Sequence, residues 1–364
     1  MSQLYGAIDL HSNNNYSMVS SEKDEALQEK RLPNDLESID RFFSRYKDQL
    51  SAIVIESTYN GYWLMDGLQE KGYSVKLANP AAMQQYSGLK YSDDANDAAW
   101  LNRMNRLGVL PEGYIYPKEE RGARDLLRKR SFLVQKRTSL INSLKHQFLT
   151  WKAINVSRER IEKLGSQEIS ATFEDPFLQQ SAHSLLELIQ CLSKQIEGIE
   201  ISLAHRLKED AVVKRLCILK GIGPILGWTI RLEVGPEDRF ENVKHYVSYC
   251  GLVESLRKSN NRIKGKGNAK SRNVYLRWAY GEAVICSLKD SEIRRYHDRL
   301  VKKKGPVKAK AIMAAKMARV SFMLMNDPNF RYDQNQLFGQ QQKNASEPAA
   351  GGMQKKKQVL EFQA

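Results

Sequence analysis

The sequence predicts an α/β domain at the amino end, followed by a long helical region and then a mainly α-helical domain. Three observations carry this. Short apolar runs of strand length alternate with turn residues and helix signals up to about residue 116. Heptad spacing of apolar residues takes over between 117 and 210. Helical periodicity returns from 211 to about 333, broken by a glycine turn and a basic stretch.

Leu4–Leu10 is an apolar run and reads as the first strand. Asn13-Asn14-Asn15 turns the chain into a second strand at Tyr16–Val19, and a third covers 27–32. Pro33-Asn34-Asp35 starts a helix to about 49. The run 52–57 is a buried strand, 60–71 a helix, 74–78 another strand, and a further helix begins near 93. The order βββαβαβα is that of an RNase H-like fold, in which the first and fourth strands lie side by side.

That order gives four acids a common address. Asp9 closes the first strand and Glu56 the fourth. Asp94 and Asp97 stand three apart at a helix start, on one face. Asp93 is the alternative to Asp94, which has the i, i+3 partner. Carboxylates at the ends of buried strands are costly unless paired. Four of them converging suggest Mg²⁺, which takes oxygen ligands and leaves room for substrate phosphate. Two ions about 4 Å apart would activate a nucleophile and stabilise a leaving oxygen at a phosphodiester. Water as nucleophile gives an endonuclease; a hydroxyl side chain gives a covalent intermediate. Ser259 is the candidate hydroxyl, in a basic stretch.

The rest of the chain suits a polyanion. The 364 residues carry a net charge of +15, a balance that neutralises phosphates. Arg257–Arg277 holds eight Lys or Arg and no acid. Arg257, Lys258, Arg262, Lys264, Lys266, Lys270 and Arg277 are its candidate nucleic-acid contacts, in an expected phosphate-gripping loop. Lys220-Gly221-Ile222-Gly223-Pro224 resembles a helix-hairpin-helix turn whose free N–H groups can meet a phosphate. Arg121, Arg124 and Arg128 begin the long helical region and could follow a backbone. Its apolar seams are Leu127, Val134, Ile141 and Phe148, then Leu185, Ile189, Leu192, Ile196, Ile199 and Leu203. They read as a helical hairpin or an intermolecular coil, and a plain helical bundle core fits the same spacing. Residues 334–364 lack periodicity and are expected to be a disordered tail. The four cysteines show neither zinc spacing nor a disulfide framework. No signal peptide is evident, and no apolar run reaches the ~18 residues of a membrane span. The expected location is cytoplasmic.

At these residues the chain resembles the DEDD-type insertion-sequence transposases, the bridge-RNA-guided recombinases. The resemblance rests on Gly6-Ala7-Ile8-Asp9-Leu10-His11, Ile55-Glu56-Ser57-Thr58 and Asp94-x-x-Asp97-Ala98. It continues through Leu133-Val134-x-x-Arg137-Thr138, Asn142, Gly221-Ile222-Gly223-Pro224, Gly251-Leu252, Ser259 and Leu276-Arg277. It implies a RuvC-like domain over 1–116 holding Mg²⁺ through the tetrad, a coiled coil over 117–210, and a transposase domain over 211–333. It also implies Ser259 as nucleophile, donor and target DNA, a structured noncoding guide RNA, and a homo-oligomer (dimer or tetramer) in the bacterial nucleoid. Glu254, Asn260 and Arg272 depart from the family pattern around the serine. The alternative reading is a RuvC-like, Mg-dependent junction endonuclease that uses water.

Overall fold

The computed structural model describes residues 3–56, 60–83, 93–253, 256–259, 262–266 and 272–339. The chain divides into two compact units, Met1–Lys118 and Glu119–Ala364.

The first unit is built on a six-stranded sheet. Its strands are β1 (Leu4–Leu10), β2 (Asn14–Ser20), β3 (Ala26–Pro33), β4 (Leu50–Glu56), β5 (Val75–Ala78) and β6 (Glu112–Gly113), in the order β3-β2-β1-β4-β5-β6. β1, β2 and β3 form an antiparallel meander, β4 runs parallel to β1 and β5 parallel to β4. Every residue of β1 is buried, as expected of a central strand covered on both faces. Side chains alternate between the faces. Ile8, Ile53 and Ile55 pack with Ile39 and Phe43 of α1 (Leu36–Phe43) and Leu64 and Leu68 of α2 (Tyr62–Glu70). Ala7, Met18 and Val54 pack on the other face with Ala98, Leu101 and Met104 of α4 (Asp94–Arg106), which follows the short α3 (Pro80–Met83). By the same alternation Asp9 and Glu56 belong to the α4 face.

Two expectations need adjusting here. The helix expected to run to 49 ends at Phe43 and tightens into a 3-10 turn, Ser44–Gln49. β6 was not anticipated, because two residues carry no periodicity.

In the second unit, α5 (Lys118–Lys152) and α8 (Pro176–Leu207) are joined through α6 (Arg158–Glu162) and α7 (Ser166–Thr172). They form an antiparallel hairpin within one chain. Arg130 Nε donates to Glu200 at 2.8 Å, Arg137 to Ser193 Oγ at 3.1 Å, and Gln147 Nε2 to the Leu178 carbonyl at 2.8 Å. Partner numbers fall as residue numbers rise. Ile141, Leu144 and Phe148 pack with Ala182, Leu186 and Ile189, and Leu127 packs with Leu203. Between these ends Leu133, Val134 and Leu192 are only half-buried, and here the arginine contacts cross.

The remaining helices are α9 (Ala211–Leu216), α10 (Pro224–Val234), α11 (Val243–Tyr249), α12 (Val274–Ser287), α13 (Ser291–Lys304), α14 (Pro306–Asn326) and α15 (Gln334–Phe338). Met313, Met317, Val320 and Leu324 of α14, spaced three and four apart, lie in their shared core. The basic stretch expected as a loop contains a two-stranded antiparallel hairpin, β7 (Leu256–Ser259) and β8 (Arg262–Lys266). Polar and charged residues can hide a strand from pattern reading, since alternation needs an apolar face to be visible. The expected tail starts too early: α15 falls within it, and its Leu337 and Phe338 are buried in the helical core. Residues 340–364 lie outside the described residues.

Candidate active site

The row across the sheet defines the site. Glu56 on β4 is in register with Asp9 on β1, Asp9 with Tyr16 on β2, and Tyr16 with Arg31 on β3. Adjacent strands lie about 4.8 Å apart, so the register brings the two carboxyl-bearing residues together. Asp9 is buried. One oxygen of Glu56 (Oε2) and one of Asp97 (Oδ1) are also shielded from solvent.

α4 brings its acids to this row by its first turn. Asp93 caps it: Asp93 Oδ1 accepts the Asn96 backbone N–H at 2.7 Å and Oδ2 accepts from Asn96 Nδ2 at 2.7 Å. Capping of this kind satisfies an orphan helix donor. It commits Asp93 to the helix end and leaves Asp94 facing His11 and Arg31.

Asp94 meets two groups that sequence reasoning had not placed in the site. His11 Nε2 lies 3.2 Å from Asp94 Oδ1 and 3.5 Å from Asp9 Oδ2. Arg31 donates to Asp94 Oδ2. The Arg31 hydrogen bond, with the nearby His11, holds the Asp94 carboxyl below the usual carboxylate range. His11 is itself pinned, because its carbonyl accepts from Asn34 Nδ2 and Asn60 Nδ2, each at 2.9 Å. Among the described residues, Asp9, His11 and Asp94 offer ligand atoms within 4.8 Å of one another. Glu56, in register with Asp9, and Asp97, three residues after Asp94 on α4, are not members of this group. The Asp-x-His spacing at a strand end was the signal for His11, since residues two apart share a face.

The candidate nucleic-acid residues divide. Arg128 forms a two-pronged pair with buried Glu233, Nε to Oε1 at 2.6 Å and the terminal nitrogen to Oε2 at 2.7 Å. Asn273 Nδ2 adds a third donor to Glu233 at 2.8 Å. Arg128 is thus a core counter-ion, because an unpaired buried carboxylate is costly. Lys220 is bonded to Asp290 Oδ2 at 2.6 Å. Arg277 donates to the Gly251 carbonyl at 2.7 Å. Arg121 and Arg124 are half-buried on α5. Gly221 has φ +98°, and a Cβ there would be driven into the Ala283 carbonyl; Gly223 is the residue before α10. Arg257, Lys258, Arg262, Lys264 and Lys266 lie on the β7–β8 hairpin, and Ser259 closes β7 opposite Arg262. Their side chains, with Lys270, Ser57 and Thr58, lie outside the described residues.

A RuvC-like sheet with acids at its centre, followed by a largely α-helical domain, defines a class of enzymes that act on DNA. A family profile described as a transposase, of the DEDD IS110 type, matches residues 7–151, and one described as "Transposase IS116/IS110/IS902 family" matches residues 213–298. The chain belongs to this IS110/IS116 transposase family. It is similar to a "Probable family 20 transposase" of Pseudomonas aeruginosa, 24% identical over 73% of this chain and 80% of the relative. It is also similar to the "Transposase for insertion sequence element IS1328" of Yersinia enterocolitica, 21% identical over 75% of this chain and 83% of the relative. Among the described residues no helix is long and apolar enough to cross a membrane.

Proposed function

We propose that this transposase cuts DNA phosphodiesters at the acidic site of its first unit, with a divalent metal ion held by Asp9, Glu56, Asp94 and Asp97 together with His11. The single observation that carries this is the grouping of Asp9, His11 and Asp94, with ligand atoms within 4.8 Å. The donor set fits: carboxylate oxygens suit Mg²⁺, and a neutral imidazole is tolerated by Mn²⁺ and similar ions. When bound, such an ion supplies Lewis-acid stabilisation at phosphate oxygens and lowers the pKa of a coordinated water. The protein's own part is positional. β1 and β4 hold two carboxylates side by side, the α4 cap turns Asp94 inward, and His11 bridges Asp9 and Asp94.

The nucleophile has two readings. Water is supported more directly, because Asp9, His11 and Asp94 are assembled within one unit. Attack by Ser259 is supported by the resemblance and by the place of Ser259 at the end of β7 in the basic hairpin. In that reading the serine oxygen bonds to phosphorus, the 3′ or 5′ oxygen leaves, and the phosphodiester energy is retained for rejoining. A guide RNA and an oligomer rest on the resemblance alone.

The test combines labelled DNA, Mg²⁺ and the protein with RNA from its own element, resolved on denaturing gels with and without protease. Free cut ends, lost in Asp9→Asn and retained in Ser259→Ala, support hydrolysis. A protease-sensitive DNA adduct that vanishes in Ser259→Ala supports the serine reading and overturns the hydrolytic one.

A further inference from the structure

The acidic site already contains a cation of the protein's own. Arg31 sits on β3, two strands from Asp9, with its side chain about half exposed. It donates to Asp94 Oδ2 and, from its other terminal nitrogen, to Asn14 Oδ1 at 2.8 Å. Its guanidinium lies 5.8 Å from the centre of the Tyr16 ring. Asp94 Oδ1 meanwhile faces His11. Both oxygens of the Asp94 carboxylate are therefore engaged, one by Arg31 of β3 and one by His11 just past the end of β1.

A carboxylate oxygen engaged by a guanidinium is a poorer ligand for a divalent ion, because two cations compete for one lone-pair region. A half-exposed ion pair is held weakly enough to exchange. If an ion of charge two enters, a guanidinium beside it is repelled and needs a new anion. In a DNA-cutting site the anion at hand is a phosphate, which a planar guanidinium fits well.

We propose that Arg31 is an exchangeable counter-ion of Asp94: it holds that carboxylate until a divalent metal ion takes it, and once released it binds a DNA phosphate beside the site. This rests on the acidic cluster being a metal site. It adds a residue outside the acid tetrad, and it makes metal entry and DNA contact alternate uses of one side chain.

The test uses the full-length protein. Mn²⁺ binding without DNA is followed by the spin-resonance signal of free Mn²⁺ in wild type, Arg31→Gln, Arg31→Lys and Asp94→Asn. Arg31→Gln is expected to bind Mn²⁺ roughly two- to fivefold more tightly than wild type, the range set by a partly exposed ion pair. Asp94→Asn is expected to bind it more weakly. At saturating Mn²⁺, Arg31→Gln is expected to bind short duplex DNA more weakly, with Arg31→Lys restoring part of the loss. Unchanged or weaker Mn²⁺ binding in Arg31→Gln, with Asp94→Asn still impaired, overturns the exchange and leaves the metal site standing. Unchanged DNA binding in Arg31→Gln overturns the phosphate contact. Absence of Mn²⁺ binding in wild type and Arg31→Gln alike overturns both the inference and the metal site beneath it.

Discussion

At the scale of single residues, neighbours decide what a charge is for. Arg31, Arg128 and Lys220 are similar as letters, but one reaches the acidic site, one neutralises Glu233 and one holds Asp290. Asp290 shows the consequence for stability. Its carboxyl is pushed down to about 2 by the Lys220 hydrogen bond, aided by the Ile293 and Glu292 backbone N–H groups that it caps. A carboxyl whose folded pKa is depressed adds stability above its unfolded value, near 3.8, and loses it as pH falls toward the folded one. Urea unfolding between about pH 4 and pH 2 is therefore expected to weaken more steeply in wild type than in Asp290→Asn. Parallel slopes for the two proteins would refute the assignment. Asp93 and Asp94 make the same point without titration, since one closes a helix end and its neighbour enters the site.

At the scale of elements, the glycine turn before α10 has a packing reason. Gly221 has φ +98°, which side-chain-bearing residues rarely adopt, and it presses against the backbone of α12 at Ala283 and Ser287. Gly221→Ala is expected to lower unfolding free energy by at least ~2 kcal/mol, from backbone strain and the displaced helix together. A variant with an unchanged urea midpoint would show that α12 can yield. The α5–α8 hairpin teaches a related lesson. Heptad spacing marks a seam but not the chain that fills it. Here the seam is filled by the same chain running back, and Arg130 and Arg137 cross its less buried middle. The β7–β8 hairpin is the reverse case, an element with backbone pairing and scarcely any apolar signal.

For the whole molecule, the excess of 15 positive charges implies binding to DNA that weakens with salt. Each phosphate neutralised contributes about −0.9 to the slope of log K against log salt. Replacing Arg257, Lys258, Lys264 and Lys266 together by Ala is expected to make that slope shallower by roughly 3 to 4. An unchanged slope would remove the β7–β8 hairpin from the DNA interface. The same substitution at Arg128 is not a fair probe, since it leaves Glu233 buried without its counter-ion.

The pairing of the first and fourth strands and the addresses of Asp9 and Glu56 were legible in the sequence, because buried strands write themselves as apolar runs and a sheet's connections restrict their order. The acids at the start of α4 were legible for the same reason, a polar cap before a periodic segment. Arg31 was not, and His11 showed only as an Asp-x-His spacing that names no partner on α4. Their roles come from cross-strand register and from a helix laid over the sheet, contacts between residues up to 83 positions apart (11 and 94) that no local pattern contains. The fate of Arg128 was hidden likewise, since its partner Glu233 is 105 residues away. Sequence by itself determined the strands and helices that carry an apolar face and the acids that end them, because hydrophobic periodicity and capping are local. Tertiary structure alone decided which charges meet, because a carboxylate's partner depends on distance in space, and burial makes that partner obligatory.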